Sequence, residues 1–355
     1  MTLPPAVVLD AARPPDSLPS PARARLSSRG AWRVVRPILQ ALFVVWAAFT
    51  LSFIVLYALP GDAVSRQFGT GDFLAPEQLE ALRAKYGLDQ PIIVQYFTQL
   101  SNVVRGDFGN SITTGKPVLE TIATALPDTL ALTGSALLVS TVLGGIIALA
   151  TSYVRTPVLK QFLLSAPAVG VAIPGFWIGL VLLWLFSFSI PLFPAMGSRG
   201  IESLVLPTIA LAIPTSATIA QVLTRSLLEE RQQPYAHNAV AKGLLRPYVL
   251  FRHVLRNALI PVLTVFALTA GGLLGGAIIA ETIFSRNGIG RLTQLAVTDQ
   301  DVPLVQGVVI LSAVIYAVLN LLVDLIYPLL DPRIAGASKR RGRATASSQA
   351  KGATR

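Results

Sequence analysis

Residues able to do chemistry are sparse in this sequence and stand apart from its apolar stretches. Cysteine is absent, which removes disulfides, thiolate metal sites and cysteine nucleophiles together. The two histidines, His237 and His253, fall in one basic segment, and no metal site is expected from them. No phosphate-cradling Gly-x-x-x-x-Gly-Lys-Ser/Thr loop is present. The nearest string, Gly109 to Lys116, has the wrong glycine spacing and runs into Pro117. Only Glu281 and Asp324 are ionisable near the apolar stretches, and both fall close to their ends. An ion-coupled carrier calls for carboxylates or unwound sites at the membrane midplane, so that class is disfavoured. An intramembrane protease is disfavoured too, because no Ser/His or Asp pair lies at membrane depth. No catalytic residue, cofactor or metal ligand is expected.

The elements around these residues point to a membrane. The chain is 355 residues long, 53% hydrophobic and only 13% charged. A soluble domain of this size would carry about twice that charged fraction. A helix needs about 20 apolar residues to cross a bilayer core. Six stretches qualify: Pro37–Leu59, Thr129–Ser152, Phe162–Phe188, Leu204–Leu223, Ala258–Ala280 and Leu304–Leu329. Every Lys and Arg lies outside them or at their ends, as expected when burying a cation costs several kcal/mol. The net charge of +11 does not mark a nucleic-acid binder, since the cations cluster between apolar blocks. With the N-terminus inside, 21 of the 29 basic residues fall on the cytoplasmic side, so both termini are expected there. Leu59-Pro-Gly-Asp62 reads as a helix stop, and the first stretch is expected to stay as an anchor.

Two connections are too long to be plain connectors. Pro60 to Asp128, expected outside the cell, holds two helical patterns. In the first, Pro76 suits a first position, Glu77 and Glu80 suit the first turn, Leu79, Leu82 and Tyr86 recur at helical spacing, and Gly87 closes it. In the second, Pro91 to Val104, one face gathers Ile93, Tyr96, Phe97, Leu100 and Val104. Together they read as a small cap on the outer ends of the spans, compatible with a docking surface for a partner. The other long connection, Arg225 to Arg256, is expected in the cytoplasm. Pro234 can start a helix, Ala236, Ala239 and Ala241 allow close approach, and Gly243 permits a sharp turn. Spacing leaves open whether this helix enters a partner's groove or lies at the headgroups, held by its cations. The pairs Gly271/Gly275 and Gly272/Gly276 permit close helix packing within the core or against a second subunit. Pro167, Pro174, Pro207 and Pro214 fall in the third and fourth spans, where they read either as kinks beside a passage or as simple helix irregularity.

The motifs, taken in order, resemble the permease subunits of binding-protein-dependent ABC importers, in the dipeptide, oligopeptide and nickel branch. They are Ala239-Val-Ala-Lys-Gly243, Arg252-His-Val-Leu-Arg-Asn-Ala-Leu-Ile-Pro261, Gly271-Gly-Leu-Leu-Gly-Gly-Ala277, Glu281-Thr-Ile-Phe284, Gly288-Ile-Gly-Arg291, Leu321-Leu-Val-Asp-Leu-Ile-Tyr327 and Asp331-Pro-Arg333. Upstream, Leu59-Pro-Gly-Asp62, Tyr86-Gly-Leu-Asp89, Gln95-Tyr96, Gly106-Asp-Phe-Gly-Asn-Ser111 and Pro117-Val118 continue the match. The chain departs from the family's general loop pattern at His237, where a Glu is usual, and at Leu255-Arg256, where a Leu-Pro pair is usual.

The resemblance implies an all-α polytopic fold with six transmembrane helices, the type I importer permease fold. It implies a first span within 31–60, an extracytoplasmic helical cap over 61–121 and a five-span core over 122–330. Composition, with no counterpart in the family pattern for the N-terminal part, marks 1–30 as a disordered cytoplasmic tail and 335–355 as a disordered basic tail. The loop 225–256 would carry the helix that couples to a cytoplasmic ATPase. There Gly243 would supply the turn, Ala239 the close approach, and Tyr235 and Leu244 the apolar contact, with Lys242 in the same motif. The implied partners are a second homologous permease, one or two ATPase subunits, an extracytoplasmic binding protein and the lipid bilayer of a bacterial inner membrane, with no nucleic acid. Di- or oligopeptides are the expected cargo, with nickel or a metal chelate as the alternative.

Overall fold

A computed structural model describes residues 28–58 and 90–330, with side chains over 35–56 and 90–322. The tails, the pattern at Pro76–Gly87, the stop at Leu59–Asp62 and Asp331-Pro-Arg333 lie outside the described residues, and the side chain of Asp324 lies outside the described side chains. The described residues fold into helices: α1 (Ser28–Ala58), α2 (Ile92–Val104), α3 (Val118–Tyr153), α4 (Pro157–Ala172), α5 (Gly175–Leu183), α6 (Glu202–Arg231), α7 (Pro234–Ala241), α8 (Arg246–Val249), α9 (Leu255–Ile283), α10 (Ile289–Thr298) and α11 (Val302–Leu330). No strand occurs among these residues beyond one isolated bridge, Asn110 to Pro117.

Five helices are long and apolar enough to cross a bilayer: Val35–Leu56, Val118–Tyr153, Glu202–Arg231, Arg246–Ile283 and Val302–Leu322. The expected third span is a bent pair. α4 and the stretch Gly175–Ser189 meet at 91°, and counting the pair as one crossing makes six. The cause is local. Pro174 has no N–H to donate and pushes Ile173 out of the helical region, to ψ 123°. At Pro167, Pro207 and Pro214 the helices run on. Past Leu183 the backbone widens into a π-helical turn over Trp184–Ser189.

α6 is the central helix. It packs most extensively on α3 and also meets α4, α5 and α9. Glycine sets two of these approaches. A β-carbon on Gly144 of α3 would sit 2.8 Å from the Ser216 carbonyl oxygen, and one on Gly170 of α4 would sit 2.8 Å from the Ala217 methyl. α1 stands at the rim, against α11.

Four helices end in the same C-terminal turn, in which two N–H groups reach back to carbonyls of the last turn. α2 does so through Gly106 (φ 80°) and the chain after Lys242 through Gly243 (φ 88°). α9 and α10 use non-glycine residues there, Ser285 (φ 47°) and Gln300 (φ 56°). The next residue in each of these two cases is a buried charge, Arg286 or Asp301.

Candidate functional site

The connection between α6 and α9 is folded as a short helix on a fixed base. Pro234 occupies the first turn of α7, where a missing N–H costs nothing. Ala236 is buried among Leu227, Val249, Leu250, Val254 and Ala258, and Ala239 packs against the same cluster. The Tyr235 hydroxyl donates to the Glu230 carboxylate of α6 at 2.5 Å and accepts from the Asn257 side chain of α9 at 3.1 Å. Partial burial, and then the bond to Glu230, push the phenol above its ordinary pKa. One side chain thus ties three helices together. α7 closes with the Gly243 N–H on the Val240 carbonyl (2.9 Å) and the Leu244 N–H on the Ala239 carbonyl (3.3 Å). The apolar side chains of Tyr235, Val240, Leu244, Leu245, Tyr248 and Phe251 are exposed along this connection, as are His237 and Lys242.

The geometry therefore divides the residues expected to work together here. Gly243 and Leu244 lie at the exposed end, Ala239 is partly used by the chain's own core, and Tyr235 is both exposed and a brace. The bracing partners Glu230 and Asn257 carried no signal in the sequence beyond being polar near helix ends.

The glycines of α9 also divide. A β-carbon on Gly271 would sit 2.8 Å from the Tyr316 ring of α11, and one on Gly276 would sit 3.1 Å from Leu211 of α6. Gly272 and Gly275 have nothing within 4 Å of that position. They open onto cavities. One, of about 560 Å³, lies among α4, α5, α6 and α9 and is lined by Phe176, Pro214, Thr215, Thr218, Thr269 and Gly272 among others. The other, of about 220 Å³, is lined by Thr129, Gly275 and Tyr316 among others. The three threonine hydroxyls of the larger cavity each donate to a carbonyl of their own helix, so its wall is apolar in practice.

At the far end of α9 two sequence motifs become one structure. Glu281 has no exposed surface. Its Oε1 accepts the Thr129 hydroxyl at 2.7 Å, and its Oε2 accepts the N–H groups of Gly290 (2.7 Å) and Arg291 (3.3 Å). The Ile289 N–H donates to the Thr129 hydroxyl oxygen at 2.8 Å. Gly288 and Gly290 are glycines for a steric reason. A β-carbon on the first would overlap the Glu281 carboxylate, and one on the second would overlap the Ile278 backbone. Beside this, the buried Arg286 guanidinium donates to the Ser203 carbonyl at 3.0 Å and pairs with Asp128 at 3.3 Å.

A parallel arrangement holds the segment Gly106–Pro117. Buried Asp301 accepts the Ser111 hydroxyl (2.5 Å) and the N–H groups of Ile112 (3.3 Å) and Thr113 (3.2 Å) while capping α11 through Leu304 (3.2 Å). Asp301→Ala is expected to cost about 2–4 kcal/mol, because it strands these buried donors. Asp301→Asn should cost less, and thermal unfolding of the detergent-purified chain would rank the two. Among the described residues no cluster of His, Asp or Glu could hold a metal ion.

Bilayer-length helices, a broken span beside an apolar cavity and a braced helix between two spans define a polytopic membrane permease. The chain belongs to the binding-protein-dependent transport system inner membrane component family, whose profile matches residues 140–336, with the family's N-terminal profile matching 32–133. It is 33% identical over 310 residues to a probable peptide ABC transporter permease of Sinorhizobium fredii, covering 85% of this chain and 98% of that one. It is 34% identical over 316 residues to the oligopeptide transport system permease AppB of Bacillus subtilis, with the same coverage. The fold is that of type I importer permeases. An inward-facing structure of the MetNI methionine ABC transporter superposes with a TM-score of 0.52 at 16% identity, over 59% of this chain and 96% of that one.

Proposed function

We propose that this chain is one half of the membrane passage of an ATP-driven importer of di- or oligopeptides. A second homologous permease supplies the other half, and an extracytoplasmic binding protein delivers the cargo. The peptide assignment follows the names of the relatives. Both termini and the loop 225–256 face the cytoplasm, as the excess of Lys and Arg on that side directs.

The observation that carries this reading is α7. It is eight residues long, fixed at its base by Ala236 and Tyr235, and followed by exposed apolar side chains at Leu244, Leu245, Tyr248 and Phe251. Such a helix suits insertion into a groove of an ATPase subunit, and its base passes any displacement directly to α6 and α9. Those helices wall the larger cavity, so movement at α7 would open or close it as a rigid-body change. The apolar wall fits a passage that releases peptides of varied side chains, with selection left to the binding protein.

The experiment is peptide uptake by proteoliposomes holding the assembled complex, with ATP consumption read in parallel. Tyr235→Phe removes two hydrogen bonds of the brace, about 1–3 kcal/mol, and should lower peptide moved per ATP roughly 3- to 10-fold while insertion is unchanged. An unchanged ratio would remove Tyr235 from the transmission path. ATP-independent uptake would overturn the importer reading.

A further inference from the structure

The amphipathicity of α2 is reversed for a helix that caps protein. Ile93, Phe97, Leu100 and Val104 lie within one narrow face, and three of them are 68%, 63% and 79% exposed, in the order Ile93, Phe97 and Val104. The opposite face is turned inward, with Gln95 buried and Gln99 and Asn102 half-buried. The sequence pattern reads as a cap packed on the spans or as a docking surface for a partner. Among the described residues Leu100 is half-buried, and Tyr96, at the edge of the face, packs on α1. Its ring packs 5.4 Å from Phe49 and 5.2 Å from Phe53 of α1, and its hydroxyl is 2.9 Å from the Thr50 hydroxyl.

Those three contacts say what covers the rest. Phe49, Thr50 and Phe53 belong to the last two turns of the bilayer-crossing stretch Val35–Leu56. In the same turns Leu51, Ile54 and Val55 of α1 are exposed, which in a spanning helix means facing acyl chains. α2 is therefore held at the depth of a membrane face, and its apolar stripe continues a surface already in lipid. Ser101 is exposed at one border of the stripe, Val94 and Thr98 are exposed farther round the helix, and Arg105 is exposed just past its end, at headgroup level. We propose that α2 is an interfacial helix whose partner is the lipid bilayer, with Ile93, Phe97, Leu100 and Val104 inserted at the boundary of headgroups and acyl chains. It would fix the rim helix α1, which otherwise rests on α11, in depth and rotation.

The absence of cysteine makes the test direct. Single variants Ile93→Cys, Phe97→Cys, Val104→Cys, Thr98→Cys and Ser101→Cys of the full-length chain would each carry a nitroxide. The host would be nanodiscs of phosphatidylethanolamine and phosphatidylglycerol. Collision with oxygen, which partitions into lipid, is compared with collision with a water-soluble nickel chelate. The oxygen-to-nickel ratio is expected to be roughly fivefold or more higher at 93, 97 and 104 than at 98 and 101. Ratios dominated by nickel at the three apolar sites would place the stripe in water and overturn the proposal. Low collision with both probes would overturn it as well, by showing a protein cover, whether another part of the chain or a partner subunit.

Discussion

Gly243→Trp will abolish ATP-driven uptake while leaving the chain folded and inserted. Gly243 sits at φ 88°, in the left-handed region, and its N–H closes α7 on the Val240 carbonyl. Any side chain there carries a strain of about 1–2 kcal/mol. Nothing lies within 4 Å of where its β-carbon would be, so the damage stays local and the core of α3, α6 and α9 is untouched. What changes is the end of α7 beside Leu244, where an indole would hold away the ATPase surface proposed to dock there. Gly243→Asn separates the two effects, because asparagine tolerates left-handed backbone. It should retain much of the uptake. Normal uptake by a well-inserted Gly243→Trp variant would sink the assignment of α7 as the coupling helix.

Glu281→Ala is the substitution expected to destabilise this protein most. It leaves the Thr129 hydroxyl and the Gly290 and Arg291 N–H groups without their acceptor and opens a void between α3, α9 and α10. Stranding these three buried donors beside a new cavity costs about 3–5 kcal/mol. Glu281→Gln preserves the shape but turns an amide N–H toward donors, for a smaller loss of about 1–3 kcal/mol. Gly290→Ala should rival the alanine variant by a different route, since its methyl group would meet the Ile278 backbone, which cannot rotate away. Thermal unfolding of the purified variants, alongside protease resistance in membranes, would give this order. A Glu281→Ala protein unfolding at the wild-type temperature would show the network to be dispensable.

The membrane-spanning design was legible because its cause acts locally along the chain. Twenty apolar residues without a cation cross a bilayer whatever their neighbours do, and five of the six expected stretches lie in unbroken helices. The turn at Gly243 was legible for a similar reason, since a left-handed residue after a short alanine-rich helix asks for glycine. The bend at Pro174 was one of four prolines with the same intrinsic effect. Which of them breaks a helix depends on whether surrounding helices hold the chain straight, and at Pro167, Pro207 and Pro214 it stays helical. The stripe on α2 was visible as a period. Its direction was not, because periodicity defines a face and says nothing of what the face meets.

Glu281 shows the limit most clearly. Its position near the end of a span and the glycine motif at 288–291 were both plain in the sequence, yet nothing local relates them to Thr129, which is 152 residues away. By itself the sequence determined the placement of the apolar helices and the short helix between the fourth and fifth spans. These follow from transfer free energy and backbone preference, which are properties of each segment alone. The tertiary structure decided which glycines pack and which open onto cavities, which proline bends, and which hydroxyls and N–H groups hold Glu281 and Asp301. Those outcomes depend on what lies opposite each residue once the helices are assembled.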